Sequence, residues 1–236
     1  MLVLGLETAT PWGSLALIDD EETVFEITLN AGKGGGEYLL SMLDKLLSRS
    51  ARQIGDIGLI AVGIGPGSYT GIRVGLAAAK GLAEGLNIPA RGINTLRIMA
   101  ENARYSSEWV APVIDARRGE VYAALYQSAG GELLEIESPM VVPVESFAIR
   151  LAGLPGVLIS GSGSRVYREA WMVHSNLQIG PPDWDRPHAA AAARIGRREF
   201  DPEQPGDLMQ LSPSYLRRVE AETRWEEGQC NSKSNR

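Results

Sequence analysis

The sequence has few of the residues that build disulfide frameworks, metal sites or membrane spans. Its 236 residues include a single cysteine, Cys230, and only two histidines, His174 and His188. One cysteine gives no disulfide framework, and neither histidine has a partner at metal-ligand spacing. No apolar run approaches the length of about 18 residues that a membrane-spanning helix needs, and the N-terminus lacks the basic segment of a signal peptide. We therefore predict a cytoplasmic protein without disulfides, metal site or membrane contact.

A surplus of basic residues is also missing. The chain has 23 Lys and Arg against 29 Asp and Glu, and its formal net charge is -6. A protein that bound a nucleic-acid backbone by itself would normally carry the opposite balance. We therefore expect any contact with RNA to be shared with a partner protein. The 44% of apolar residues is ordinary for a soluble globular chain and allows a sizeable core.

Apolar segments alternate with turn residues in a way that is typical of a mixed α/β protein. Residues 2–6, 14–18 and 23–29 predict three sequential antiparallel strands. The following pattern predicts further strands at 57–64, 90–93, 109–114, 120–126, 133–140 and 156–160, and helices at 37–49, 69–86, 95–104, 144–151 and 189–200. Parallel strands in such an order need helical crossovers.

A polar connector at residues 105–108 is the best domain boundary. It predicts an N-terminal α/β unit at 1–104 and a second α/β unit at 105–219. Residues 220–236 are charged and have no apolar period, so we predict a disordered tail.

The sharpest motif is the glycine-rich run GIGPGSYTGIRVG at residues 63–75. It predicts a strand, a tight turn and the start of a helix that Ser68 caps. A helix start of this kind attracts anions through its free amides and its dipole. One interpretation is a phosphate-facing turn built from Gly65, Gly67 and Ser68, with Thr8 from the first hairpin. The other is a capped glycine turn with a purely structural role.

The two helices around this motif have unusual faces. The helix after the turn carries two stripes of small residues, which predict very close packing against the sheet, a partner, or both: Gly71, Gly75 and Ala79, and Ala77, Gly81 and Gly85. Apolar residues of the 37–49 helix span about 200° of its circumference, whereas about 100° is enough to face a core. The surplus, chiefly Tyr38, Met42 and Leu46, indicates either additional core or a protein interface.

Three segments together resemble the signature of the TsaB (YeaZ) family. They are GPGSYTGIR with a following glycine at 65–75, DARRGEVY at 115–122 and PSYLR at 213–217. The resemblance extends from the N-terminus to about residue 218 and depends on all three segments occurring in the same order. It implies the actin-like/Hsp70/sugar-kinase (ASKHA) class of α/β folds, with two RNase-H-like subdomains that contain mixed sheets.

The resemblance also implies a function without catalysis. Members of this family are scaffold or activator subunits of the machinery that transfers threonylcarbamoyl to N6 of the adenosine beside the anticodon, in tRNAs reading codons that begin with A. The implied partners are a TsaD-type transferase subunit, a TsaE-type ATPase subunit and a second copy of the chain, and tRNA is reached only through the complex. The resemblance further implies that the chain has no intrinsic cofactor and that the assembled complex uses ATP and Mg²⁺.

In this family the helices that match 37–49 and 69–86 form the homodimer or heterodimer face. On them we predict eight partner-interface residues: Tyr38, Leu39, Met42, Leu46, Tyr69, Arg73, Leu76 and Lys80.

Two departures distinguish the sequence from catalytic relatives. The transferase subunit carries a His-x-x-x-His metal pair where this chain has Thr95 and Met99, and neither residue is a suitable ligand for a hard metal. Glu7 stands where aspartate is commoner in the superfamily, and its longer side chain would crowd a nucleotide phosphate. We therefore predict no catalytic residues. The alternatives are an autonomous ATP-dependent enzyme of the sugar-kinase-like class and a metalloprotease.

Overall fold

Two five-stranded mixed sheets form the framework of the computed structural model, which describes residues 1–30, 32 and 38–217. The strands are β1 Leu2–Glu7, β2 Trp12–Asp19, β3 Glu22–Asn30, β4 Ile57–Gly63, β5 Ala90–Ile93, β6 Trp109–Asp115, β7 Glu120–Ala129, β8 Glu132–Pro143, β9 Val157–Ser160 and β10 Leu177–Ile179. The helices are α1 Leu39–Ser50, α2 Tyr69–Leu86, α3 Thr95–Ala100, α4 Val144–Leu151, α5 Ser162–Val166, α6 Arg168–Met172 and α7 Ala189–Arg198.

The first sheet has the strand order β3-β2-β1-β4-β5. β1 to β3 are antiparallel neighbours, while β4 and β5 run parallel to β1. Every residue of β1 is buried, because α1 and α2 cover one face of the sheet and α7 covers the other. The β1–β2 turn and the turn after β4 therefore lie at the same edge of the sheet, where the parallel strands have their carboxyl ends.

The second sheet repeats this topology, with the order β8-β7-β6-β9-β10. β6 to β8 are antiparallel neighbours, and β9 and β10 run parallel to β6. α4 and α6 pack on one face and α3 on the other. The repeat is one of strand order, and no internal repeat is visible in the sequence.

α7 follows the second sheet in the chain but packs on the first. Its five consecutive alanines are all buried there. A Cβ atom at Gly5 of β1 would come closer than 3.0 Å to the Ala189 carbonyl oxygen, so this helix lies directly on the sheet backbone. The division into units 1–104 and 105–219 stays a prediction. α7 belongs to the second unit by its position in the sequence, but it packs on the sheet of the first. The predicted tail at 220–236, which contains Cys230, lies outside the described residues.

The mixed α/β pattern and the three opening antiparallel strands are confirmed, and the differences concern short elements. The predicted helix 95–104 ends at Ala100 and continues as a 3₁₀ turn at Glu101–Ala103. α5, α6 and β10 were not predicted, because each has five residues or fewer and shows no full hydrophobic period. The predicted start of the first helix at Glu37 lies outside the described residues. No helix within residues 1–30, 32 and 38–217 is long and apolar enough to span a membrane.

Candidate functional site

Hydrogen bonds within the chain hold the glycine turn between β4 and α2. Ser68 caps α2, because its side-chain oxygen accepts a hydrogen bond from the Gly71 amide at 3.2 Å. The Ser68 amide donates to the Ala9 carbonyl at 2.6 Å, and the Thr95 amide donates to the Gly65 carbonyl at 2.7 Å. The amides of Ser68 and Gly71, two of those that an anion at this helix start could use, therefore already have partners.

The β1–β2 turn packs directly on the first two turns of α2. The Thr8 hydroxyl donates to the Gly71 carbonyl at 2.8 Å. A Cβ atom at Gly67, Gly71 or Gly75 would come closer than 3.0 Å to an oxygen of Thr8 or Ala9. Of the predicted phosphate-facing residues, Gly67 and Ser68 thus lie against the turn that contains Thr8, and the close approach of the two segments explains the glycines at 67, 71 and 75 without a ligand. Gly65 has a positive φ of 100° and lies against Ile72 and Ser214.

A buried carboxylate lies beneath this contact. Glu7, at the end of β1, has no solvent exposure. Its Oε1 accepts a hydrogen bond from the Ala9 amide at 2.6 Å, and its Oε2 accepts one from the Thr95 hydroxyl at 3.1 Å. Burial raises the pKa of Glu7 from 4.5 to about 7, although these hydrogen bonds oppose the increase. A Cβ atom at Gly63 of β4 would overlap the carboxylate, which is therefore part of the protein interior.

Thr95 and Met99, which stand where the transferase subunit has its histidine pair, are both fully buried in α3. Thr95 bonds to Glu7, and Met99 belongs to the apolar cluster between α3 and the second sheet. In the described part of the chain, no three residues among His, Cys, Asp and Glu are grouped so that they could hold a metal ion.

The three motif segments, which are far apart in the sequence, meet at one place. The late segment 213–217, here called the strap, runs along the glycine turn. The Ser214 amide donates to the Ile64 carbonyl at 2.8 Å. The Tyr215 ring stacks on the ring of Tyr69, with centroids 5.3 Å apart and an interplanar angle of 24°.

The end of the strap contacts the second sheet. Arg217 donates to the Ala116 carbonyl at 2.7 Å and to the Glu120 carboxylate. Both acceptors belong to the DARRGEVY segment at 115–122. The strap therefore bridges the edges of the two sheets and joins all three motifs.

The β6–β7 turn in that segment has a strained backbone. Arg117, Arg118 and Gly119 have positive φ angles of 67°, 58° and 74°. A left-handed conformation costs a non-glycine residue about 1–2 kcal/mol. The Asp115 carboxylate stabilises the turn, because it accepts hydrogen bonds from the Arg117 amide and the Tyr167 hydroxyl, both at 2.8 Å.

Four of the predicted partner-interface residues are buried in the core of this chain. Leu39, Met42, Leu46 and Leu76 have at most 5% exposure and pack between the two helices and the first sheet. Their assignment to a partner surface is therefore corrected, since side chains this deeply buried offer little area to another protein, although Leu39 also lines the groove between the two helices. The wide apolar face of α1 is mostly additional core.

The other four predicted interface residues remain accessible. Tyr38 and Tyr69 are exposed by 50% and 45%, Arg73 is exposed, and Lys80 is half-buried. Arg73 donates a hydrogen bond to the Tyr69 hydroxyl one helical turn before it. Their role at a partner interface stays a prediction.

An apolar groove separates α1 from α2. It has a volume of about 240 Å³ and is lined by Leu6, Leu15, Leu39, Leu40, Leu43, Ala77, Ala78, Gly81 and Leu82. The two small-residue stripes of α2 have different surroundings. Gly75 and Ala79 are buried against the first sheet, whereas Ala77, Gly81 and Gly85 are exposed beside the groove. The exposed stripe was the sequence signal for this surface, and Leu40, 73% exposed, was absent from the predicted interface.

The fold defines the class of the protein. The chain resembles the activator of the 2-hydroxyisocaproyl-CoA dehydratase from Clostridium difficile, solved with bound ADPNP, at a TM-score of 0.52 and 14% identity over 84% of this chain and 95% of that chain. Together with the two sheets of equal strand order, this confirms an α/β fold of the actin-like/Hsp70/sugar-kinase class.

Closer similarities show the family. "YeaZ from Pseudomonas aeruginosa" superimposes with a TM-score of 0.78 at 29% identity, over 91% of this chain and 99% of that chain. A second Pseudomonas aeruginosa structure, named for its similarity to peptidase YEAZ, gives a TM-score of 0.80 at 29% identity over 92% and 99% of the two chains. A family model described as TsaD, tRNA N6-adenosine threonylcarbamoyltransferase, matches residues 31–170.

Curated relatives carry the same family name. The tRNA threonylcarbamoyladenosine biosynthesis protein TsaB of Bacillus subtilis is 30% identical over 234 residues, which cover 97% of this chain and all of the relative. The TsaB of Escherichia coli is 39% identical over 129 residues, covering 54% of this chain and 55% of the relative. The chain belongs to the TsaB (YeaZ) family, as its three motifs predicted.

Proposed function

We propose that the chain is a non-catalytic scaffold and activator subunit required for threonylcarbamoyl transfer to adenosine in tRNA. It acts by binding a TsaD-type transferase subunit. The open apolar groove between α1 and α2 is the observation that carries the proposal. The names of the TsaB relatives supply the reaction, and the match to the TsaD family model agrees with a partner of related fold.

The groove has the properties of a helix-docking surface. The exposed small side chains of Ala77 and Gly81 let a partner helix approach the α2 backbone closely, and Leu40 offers apolar area that the chain itself leaves uncovered. Burying apolar surface stabilises a complex by about 25 cal/mol per Å² before the cost of association. The same face serves either a second copy of the chain or the transferase subunit, so the two assemblies compete. A TsaE-type ATPase joins the complex in the cytoplasm, and tRNA is bound by the assembly.

Replacing Leu40 with aspartate tests this assignment. We expect the Leu40→Asp variant to fold normally, because the side chain is exposed, and to lose the complex with the transferase subunit, because the carboxylate would be desolvated in an apolar groove. Native mass spectrometry of the mixed subunits measures the complex, and thermal melting measures the fold.

The matched control is Val173→Asp, which changes an apolar side chain of similar exposure, 77%, after the end of α6. We expect this variant to assemble like the wild type. If Leu40→Asp assembles as well as Val173→Asp does, the groove is not the docking surface.

In this proposal the chain alone binds no cofactor, and ATP and Mg²⁺ are used only by the assembled complex. The proposal is supported by the hydrogen bonds that the amides of Ser68 and Gly71 already make and by the burial of the Glu7 carboxylate. Isothermal titration of the isolated chain with ATP and Mg²⁺ is expected to show no binding heat. Tight binding would favour the alternative, an autonomous ATP-dependent enzyme of the sugar-kinase-like class.

A peptidase activity, suggested by the name of one Pseudomonas structure, is less well supported. Within the described residues, His188 pairs with Glu26 at 3.3 Å at the start of α7, and neither belongs to a group that could hold a metal ion. The buried positions of Thr95 and Met99 support a non-catalytic chain.

A further inference from the structure

The convergence of the three motifs leaves a pair of aromatic rings at the surface. Tyr69 and Tyr215 remain 45% and 43% exposed although their rings stack on each other. Arg73 lies 5.1 Å from the centroid of the Tyr69 ring and is itself exposed. Stacked rings beside a guanidinium group form a platform of the kind on which nucleobases stack.

Arginines of the β6–β7 turn lie beside this platform. Arg217 follows Tyr215 by two residues, and its guanidinium group donates a hydrogen bond at 2.7 Å to the carbonyl of Ala116, the residue before Arg117. Arg117 has 85% of its side chain exposed, and Arg118 is also exposed. Both occupy left-handed positions that glycine or asparagine would adopt at a lower cost. In return the Arg117 side chain makes only an exposed ion pair with Asp115, and such strain is typical of functional sites.

The two carboxylates of this segment are both paired with arginines. Asp115 is 13% exposed, accepts the hydrogen bonds of the Arg117 amide and the Tyr167 hydroxyl, and lies 3.6 Å from the Arg117 guanidinium group. Glu120 is paired with Arg217. The exposed Arg73 adds a positive charge beside the stacked rings, in a chain whose net charge is -6.

We propose that this arginine–tyrosine surface binds unpaired nucleotides of RNA. It consists of Tyr69, Arg73, Arg117, Arg118 and Tyr215. The tyrosine pair stacks a base, and the arginines of the turn contact the adjacent phosphates. The inference rests on the proposed function, since that function supplies an RNA substrate, and it adds a direct RNA contact where we expected tRNA to be reached only through the complex.

Fluorescence anisotropy of a labelled single-stranded oligoribonucleotide, titrated with the full-length chain over a series of salt concentrations, tests the surface directly. We expect Tyr215→Ala to weaken binding at least about five-fold, because a stacking ring is lost, and Tyr215→Phe to bind like the wild type. Arg117→Ala is expected to lower the slope of log affinity against log salt by about 0.7, the change for one phosphate contact to a single strand.

The charge-matched control is Arg52→Ala. Arg52 pairs with Asp19 at the opposite end of the first sheet, so we expect this variant to leave RNA binding unchanged. Melting temperatures establish that each variant is folded. The same variants are then assembled with the transferase subunit and titrated with labelled tRNA.

The inference would be overturned if Tyr215→Ala and Arg117→Ala bound RNA with the affinity and the salt dependence of the wild type. A loss of subunit assembly with unchanged RNA binding would also overturn it and would identify the surface as a protein-docking site. A wild-type chain that binds RNA through this surface but forms no complex with the transferase subunit would refute the proposed function and leave this inference standing.

Discussion

Replacing Gly71 with alanine is expected to destabilise the protein by about 3 kcal/mol, although alanine is the better helix former. The added Cβ atom would overlap the Thr8 carbonyl oxygen, and the backbone of the β1–β2 turn has no room to move. The turn is held by the bonds from Ser68 to Ala9 and from Thr8 to Gly71. Either the turn or the first part of α2 has to shift, and urea denaturation followed by circular dichroism measures the cost.

Gly85→Ala in the same helix is the matched control. Gly85 has nothing within 4 Å of an added Cβ atom, so only the helix propensity changes, and we expect a gain of about 1 kcal/mol. The two alanine substitutions should thus change stability in opposite directions. Equal stabilities of the two variants would show that Thr8 and Ala9 do not pack on α2 as described.

Glu7→Gln is expected to increase stability at alkaline pH. The pKa of Glu7 is about 7 in the folded protein and 4.5 in the unfolded chain. Between these two values the unfolded chain ionises while the folded protein keeps its proton, and this lowers the free energy of unfolding. The contribution of this group to stability is therefore largest at low pH, falls between pH 4.5 and about 7, and stays low above that range. The difference between the ends of this window is about 3 kcal/mol.

Glutamine imitates the protonated acid. Its carbonyl oxygen can accept the hydrogen bond of the Ala9 amide, and its amide group can donate to the Thr95 hydroxyl. We expect the free energies of unfolding of wild type and Glu7→Gln to agree near pH 4 and to differ by about 3 kcal/mol near pH 8, with the variant more stable. Urea unfolding at a series of pH values measures both.

Glu26→Gln is the control of opposite sign. Glu26 accepts hydrogen bonds from Ser14 and from the Ala190 amide, and it pairs with His188. These bonds outweigh the effect of burial, which raises the pKa, so the pKa of Glu26 lies below its ordinary value. Ionised Glu26 therefore stabilises the protein at pH values above its pKa in the unfolded chain. This stabilisation is lost as the pH falls through its lower pKa in the folded protein. Glu26→Gln should therefore destabilise the protein near pH 8, and a stabilising effect of both glutamine variants would contradict the assigned environments.

The sequence alone determined the features that depend on local pattern. Alternating apolar residues and turn signals established the three opening antiparallel strands, and the position of Ser68 before a glycine-containing helix established its cap. These predictions succeeded because strand alternation and capping depend on neighbours within a few residues. The three ordered motifs were sufficient for the family for the same reason, since each is a short continuous segment.

Only the tertiary structure decided which faces are covered. The wide apolar face of α1 was compatible with core or interface, and the fold buries Met42 and Leu46 while it leaves Leu40 exposed. α7 returns to the first sheet, and Tyr215 stacks on Tyr69 from the far end of the chain. Hydrophobic periodicity reports how much apolar surface a helix has, but the position of its neighbours depends on contacts between residues that are distant in sequence. For that reason the close contact that requires Gly71, and the surface on which the three motifs meet, became visible only in the folded chain.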